Sequence, residues 1–190
     1  SYTVVVTDNL GCTETATVNV VNTGAPTVSI INSTNVSCFG RSDGSADASA
    51  SGGTGALTYT WDSGNTPSAL STNGLNAGFH TISVTDAIGC LATASITITE
   101  PPALNATASP TTAICGNANG SMTVIVTGGV PGYTYSWNTI PAQNVQTAVN
   151  VPSGNYMVSI VDANLCSVTA TTTVNNVSGV VASAKVPISA

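Results

Sequence analysis

Charge is what this sequence has least of: Asp, Glu, Lys and Arg make up 5% of its 190 residues, against about 25% in an ordinary soluble domain. Only two cations, Arg41 and Lys185, stand against eight acids, leaving a net charge of −6. Nucleic-acid recognition needs clustered Lys or Arg, so that class is excluded, and attraction to an anionic membrane surface with it. Long apolar runs are missing too. None approaches the roughly 18 to 20 residues of a membrane helix, so no membrane insertion is expected in this segment. Histidine occurs once, as His80. Catalysis needs a nucleophile beside a base, or two carboxylates at working distance, and so few titratable groups point away from an enzyme. No segment keeps a helical period.

What remains is Thr, Ser, Asn, Ala, Val and Gly in short alternating runs. Thr27 to Ile31, Ser45 to Ser51, Leu57 to Trp61, His80 to Thr85 and Ala92 to Thr99 alternate with period two, and Gly, Pro, Asn and Asp stand between them. That is the signature of strands and turns. The chain also repeats itself: 76 residues separate Gly44 from Gly120, Trp61 from Trp137, Gly78 from Gly154 and Asp86 from Asp162. The expected fold is all-β, a tandem of immunoglobulin-like sandwiches of about 76 residues with some seven short strands each. The expected divisions are the closing strands of a preceding repeat at 1–24, whole repeats at 25–102 and 103–178, and the first strand of another repeat at 179–190. Neither end reads as a natural terminus. Proline marks the joints, at Ala25-Pro26 and Glu100-Pro101-Pro102, and short proline-bearing joints favour a stiff array.

One stretch recurs three times, as Tyr2 to Asp8, His80 to Asp86 and Tyr156 to Asp162. Alternate positions share a face, so Tyr2, Val4 and Val6, and their counterparts His80, Ile82, Val84 and Tyr156, Val158, Ile160, are expected in the core. The residues that follow, Asp8 to Gly11, Asp86 to Gly89 and Asp162 to Leu165, read as hairpin turns capped by Asp, with Gly in the left-handed position. The third copy has no glycine there, and Asn164 is expected to take that conformation instead.

Five cysteines leave one over. The repeat accounts for this if each unit holds an early and a late cysteine, giving Cys38 with Cys90, Cys115 with Cys166, and a partner for Cys12 outside the chain. Two alternatives stay open: reduced, buried thiols, and a bridge between neighbouring units such as Cys12 to Cys38. No cysteine has a Cys or His companion at metal-ligand spacing.

The pattern Cys38-Phe-Gly-Arg-Ser-Asp-Gly44, Ser51-Gly-Gly-Thr-Gly55, Leu57-Thr-Tyr-Thr-Trp61, Leu75-Asn-Ala-Gly78 and Val84-Thr-Asp-Ala-Ile-Gly-Cys90 resembles the SprB repeat, which is akin to PKD-type immunoglobulin-like modules. The second unit follows with Cys115-Gly-Asn-Ala-Asn-Gly120, Thr127-Gly-Gly-Val-Pro-Gly132, Tyr133-Thr-Tyr-Ser-Trp137 and Pro152-Ser-Gly154. It departs at Asn119, at Leu165 and in the longer stretch Asn138 to Val149. The resemblance implies a long, exported surface protein of gliding bacteria, secreted by the type IX route. Its repeats would form filaments that adhere to polysaccharide or other surfaces. The partners implied are neighbouring repeats of the same chain and extracellular polysaccharide.

The candidate site residues divide between sharp and plain readings. His80 fills the slot of Tyr2 and Tyr156, and reads as a core substitute rather than a base. Asp43, Asp47 and Asp62 would suit calcium, which gathers loop carboxylates. Their counterparts, Asn119, Thr123 and Asn138, lose the charge, so turn capping is favoured and no cofactor is expected, with calcium as the minor alternative. Trp61 and Trp137 would suit sugar stacking, but each sits where such a sandwich places its central tryptophan, and with Tyr2 and Tyr156 they are assigned to the core. Sequons at Asn32, Asn35, Asn105, Asn119 and Asn176 are as frequent as so Asn- and Thr-rich a composition makes them. No ligand contact is named by the sequence. Two roles remain, a spacer that builds length or a binder that meets ligand through variable loops, with assembly into a polymeric extracellular fibre through exposed sheet edges as a third; the divergent Asn138 to Val149 stretch leans toward the second.

Overall fold

The computed structural model describes residues 1–20 and 24–179. Its sixteen strands are accompanied by no helix among the described residues. Contacts group the chain into two compact units. The first comprises Ser1–Ser33, Ser45–Gly74 and Phe79–Thr97, and the second Thr34–Gly44, Leu75–Gly78 and the chain from Ile98 onward.

The first unit opens on a hairpin of β1 (Tyr2–Thr7) and β2 (Thr13–Val18), paired from Tyr2 with Val18 to Thr7 with Thr13. Here an expectation fails. Tyr2 is 69% exposed and Val4 and Val6 are exposed with it, because β1 pairs with β2 alone and no other described strand joins their sheet. The repeat that follows this hairpin builds two three-stranded sheets. One orders β3 (Pro26–Thr34), β4 (Gly44–Gly52) and β6 (Ser71–Leu75); the other orders β5 (Thr58–Trp61), β7 (Gly78–Thr85) and β8 (Leu91–Ile98). Alternation appears as expected. Ala46 and Ala48 in β4, and His80, Ile82 and Val84 in β7, are buried while their neighbours are not. The polar run Ser-Thr-Asn-Gly-Leu of β6 carried no pattern from which a strand was legible.

The second repeat gives the same pair of sheets: β9 (Asn105–Thr111), β11 (Gly120–Thr127) and β13 (Thr147–Val151) in the order β13-β11-β9, and β12 (Thr134–Trp137), β14 (Gly154–Val161) and β15 (Ser167–Val174) in the order β12-β14-β15. Short strands β10 (Ala113–Ile114) and β16 (Asn176–Val177) pair in parallel. One core lies between the sheets, formed by Met122, Val124, Trp137, Ala148, Val158, Ile160 and Val174, with Tyr156 half-buried against it. The sheets close so tightly at Gly120 that a Cβ there would meet Val174 Cγ1 at 2.7 Å and Val151 O at 3.0 Å. Gly44, its counterpart, faces Ile98 and the Leu75 carbonyl in the same way. Two sheets burying one face each against the other make the immunoglobulin-like sandwich that the alternation predicted. No helix among the described residues is long and apolar enough to cross a membrane.

Candidate functional site

Three turns carry the same chemistry. Asp8 Oδ1 accepts the N–H of Leu10 and of Cys12, each at 2.9 Å. Asp86 Oδ1 accepts Ile88 N–H at 3.1 Å and Cys90 N–H at 2.8 Å, and Asp162 Oδ1 accepts Asn164 and Cys166 N–H, each at 2.9 Å. The second carboxylate oxygen ties in another loop: Asp86 Oδ2 accepts Thr54 N–H, and Asp162 Oδ2 accepts Val130 N–H, both at 2.9 Å. The Gly-Gly pairs before Thr54 and Val130 exist for this approach. A Cβ on Gly129 would stand 2.7 Å from Asp162 Oδ2, and on Gly53 3.0 Å from Asp86 Cβ, with φ of 62° and 74°.

These bonds hold both carboxyls below the usual carboxylate range. At Asp86 the Thr54 N–H is the largest cause, acting against desolvation. At Asp162 burial is the largest influence and by itself raises the value, but the N–H groups of Val130, Cys166 and Asn164 together outweigh it. A depressed folded-state value contributes stability above the unfolded carboxylate value of about 3.9, lost as pH falls through the folded one. The melting temperature is therefore expected to hold steady from neutral pH down to about 4.5 and to drop below about 4. An Asp86→Asn, Asp162→Asn chain should melt lower at neutral pH and show a shallower acid decline. A scan of melting temperature against pH by circular dichroism checks both.

The left-handed position of these turns is held by Gly11 at φ 87° and Gly89 at φ 89°, but in the third copy by Leu165 at 64°. Asn164 does not take that conformation, as the sequence suggested; its side chain instead donates to Ser37 O at 2.9 Å. Leu165 is 80% exposed, so nothing in packing offsets a left-handed conformation that costs a branched residue roughly 1–2 kcal/mol. Leu165→Gly is expected to stabilise the second unit by about 0.5–1 kcal/mol after the added chain entropy of glycine, read as a higher urea midpoint.

Cysteine pairing departs from the expected scheme. Cys38 is bonded to Cys166 with Cα atoms 5.8 Å apart, across 128 residues of sequence and within the second unit. Cys12, Cys90 and Cys115 are thiols. The pairs Cys38 with Cys90 and Cys115 with Cys166 do not form, and strand direction explains why. Cys166 precedes Ser167 at one end of β15, whereas Cys115 N–H bonds Val177 O beyond the other end at Val174. Seven steps along a strand separate the ends, roughly 23 Å, and a disulfide tolerates no more than about 7 Å between Cα atoms. The first repeat repeats the geometry: Cys90 precedes β8 at Leu91, while Val36, two residues before Cys38, donates to Thr99 O just past its far end.

The carboxylates considered for calcium each have separate work. Asp43 accepts from the Ser37 N–H at 2.9 Å and from the Ser37 hydroxyl, which hold its carboxyl below the usual range. At the corresponding place Asn119 Oδ1 accepts Ile114 N–H at 2.8 Å. Asp62 Oδ2 accepts Thr81 N–H at 3.0 Å, and Asn138 Oδ1 does the same for Met157 at 2.8 Å. An amide replaces the carboxylate in both cases and keeps the hydrogen bond, so these positions are turn caps. Asp47 meets Asn32 Nδ2 at 3.4 Å. No group of three His, Cys, Asp or Glu residues is gathered among the described residues.

Trp61 and Trp137 are 2% and 1% exposed, and each indole N–H donates at 2.9 Å, to Ala69 O and Val145 O. Neither ring face is open to a sugar. His80 is buried against Ser63 Oγ at 2.7 Å and Asp62 Oδ1 at 3.4 Å. A half-buried Tyr156 donates its hydroxyl to Pro152 O at 2.9 Å.

The divergent stretch Asn138 to Val149 shapes a cleft in the second unit, with a volume of about 410 Å³, walled by Ile140, Pro141, Gln143, Asn150, Pro152 and Tyr156. Ile140 stands fully exposed at its rim. Gln143 braces the wall, donating to Val149 O at 2.9 Å and accepting Val149 N–H at 3.0 Å. The lining combines apolar side chains with the amides of Asn138, Gln143 and Asn150 and the hydroxyls of Thr139 and Tyr156.

No curated protein matches the chain. Among solved structures it is similar to the chain described under "Structural basis for Dscam isoform specificity", at 16% identity and a TM-score of 0.37, over 88% of this chain and 51% of that one. It is also similar to the N-terminal eight Ig domains of Down Syndrome Cell Adhesion Molecule (DSCAM) isoform 1.30.30, at 15% identity and a TM-score of 0.36, over 88% of this chain and 26% of that one. The chain thus spans about half the length of the first and a quarter of the second. A family comparison matches the SprB repeat at residues 30–66 and 107–142, from β3 to the loop after β5 and from β9 to the loop after β12. The two matched segments lie at corresponding places in the two sandwiches.

Proposed function

We propose that this chain is a segment of a long extracellular surface protein, in which SprB repeats build a stalk and the whole acts in adhesion. The observation that carries this reading is the SprB match in both repeats at equivalent positions. Two features support it. A disulfide between Cys38 and Cys166 suits an oxidising environment outside the cytoplasm, and the side chains offer hydroxyl and amide groups in place of charge. Export by the type IX route and a part in gliding are the finer reading that goes with the family. Antibody raised to the chain should label intact, unpermeabilised cells that make it, and external protease should remove the signal. Labelling only after permeabilisation would overturn the proposal.

A second reading has one observation in its favour: the cleft beside Ile140 and Tyr156 lies in the very loop that departs from the first repeat. Under it the second repeat contacts polysaccharide directly. Chain immobilised on beads should then retain soluble polysaccharide from the producing cells' surroundings, and Ile140→Asp should lower that retention at least tenfold with melting temperature unchanged. No retention by the unmodified chain would leave the spacer role standing alone.

A further inference from the structure

The cysteine that carries the disulfide in the first repeat has an equivalent in the second. Cys38 lies beside the segment by which the chain leaves its repeat: Val36 N–H donates to Thr99 O at 3.0 Å, and Gly40 N–H to Glu100 Oε2 at 2.6 Å. Cys115 occupies the same place. Ala113 N–H donates to Asn175 O at 2.8 Å, Cys115 N–H to Val177 O at 3.0 Å, and Gly116 N–H to Asn176 Oδ1 at 2.9 Å. The outgoing chain passes so near that a Cβ on Gly179 would come within 3.0 Å of Cys115 Sγ. Cys115 is exposed.

The late cysteines are likewise interchangeable. Besides the Asp-capped turn they share, the Asp N–H donates back to the cysteine carbonyl at 2.9 Å for Asp8 and Cys12, 3.1 Å for Asp86 and Cys90, and 2.9 Å for Asp162 and Cys166. One early cysteine, Cys38, is bonded to the late cysteine of the repeat that follows it. Intra-repeat pairing is barred by the length of the strands. An early cysteine therefore finds its partner one repeat onward.

We infer that Cys115 is the receiving thiol for the late cysteine of a further SprB repeat following in the same chain, and that Cys90 is the receiving thiol for the early cysteine of a preceding one. The links form a covalent ladder in which every repeat is tied to both neighbours and none is closed on itself. Each link joins two thiols as one S–S bond. Two protons and two electrons pass to a disulfide oxidant, glutathione disulfide or an oxidoreductase of the same chemistry, which is reduced to two thiols. The inference rests on the repeat geometry and not on the surface role, so either stands if the other fails.

The test replaces residues 179–190 with a second copy of residues 103–178, so that the added repeat begins directly after residue 178 as the second begins directly after residue 102. The protein is folded in a glutathione redox buffer, free thiols are alkylated, and the unreduced digest is mapped by mass spectrometry. The expected result is a cross-linked peptide joining Cys115 to the added copy of Cys166, in monomeric protein lighter by two hydrogens for the new bond, with Cys38 still joined to Cys166. Three results would overturn the inference: Cys115 alkylated in folded protein, the added copy's two cysteines joined to each other, or Cys115 joined to Cys90 of another molecule in a disulfide-linked dimer. The unextended chain, run in parallel, should show Cys115 and Cys90 alkylated.

Discussion

Replacing Cys38 and Cys166 together by Ser is expected to lower the stability of the chain by up to about 5 kcal/mol, the loss of closure entropy for a loop of this size in the chain-entropy model. The loop spans 128 residues and encloses most of both repeats, so this one link contributes more than the roughly 4 kcal/mol of a single loop of about 50 residues in the same model. The loss should appear as a lower urea midpoint, and a reducing agent should reproduce it in the unmodified protein. Cys90→Ser is the informative control. Its thiol is unbonded, so the substitution should leave the midpoint within about 0.5 kcal/mol of the parent. If Cys90→Ser destabilised as strongly as Cys38→Ser, the bond would run within the first repeat instead.

Trp137→Ala should cost about 3–5 kcal/mol, the range for truncating a buried large aromatic. Its ring is 1% exposed in the core with Met122, Val124, Val158 and Ile160, and its indole N–H is satisfied by Val145 O. A small domain holds only about 5–15 kcal/mol in all, so the second unit should be left close to unfolding at room temperature. The two tryptophans make this readable unit by unit. Trp61, in the first unit, is the only tryptophan left after the substitution and reports on that unit alone. Expected is a large loss of β-sheet circular dichroism with Trp61 emission little changed. Trp137→Phe should recover part of the loss. Loss of both signals together would show the two units to unfold as one.

Much of this was legible in the sequence because the repeat supplied controls. A period of two predicts the inward faces of β7 and β14, and there it holds. It also placed Tyr2, Val4 and Val6 inward, and they are exposed, because alternation says which face of a strand is apolar but not whether another sheet covers it. Trp61 and Trp137 are both buried. Asp43 and Asn119, and likewise Asp62 and Asn138, accept equivalent backbone N–H groups, so the change from carboxylate to amide keeps each turn cap. Disulfide pairing was not legible. Under a 76-residue offset, Cys90 and Cys166 are equivalent partners for Cys38, and sequence spacing has no means of choosing between them. The choice depends on which end of an eight-residue strand each cysteine occupies, and only the register of β14 and β15 and the bonds of Val36 and Cys115 to the outgoing chain fix that. Leu165 was misread for a related reason. Asn tolerates positive φ better than Leu in isolation, but the Asp162 cap fixes the register of the turn, and position in the turn overrides residue preference.

The most direct measurement is a disulfide map of the chain as it stands. The protein is alkylated without reduction, digested, and the cross-linked peptides are sequenced. This account predicts one linked pair, Cys38 with Cys166, and alkylated Cys12, Cys90 and Cys115. Finding Cys38 linked to Cys90 and Cys115 linked to Cys166 would contradict it, since those pairs require ends of the same sandwich to meet that its strands hold apart.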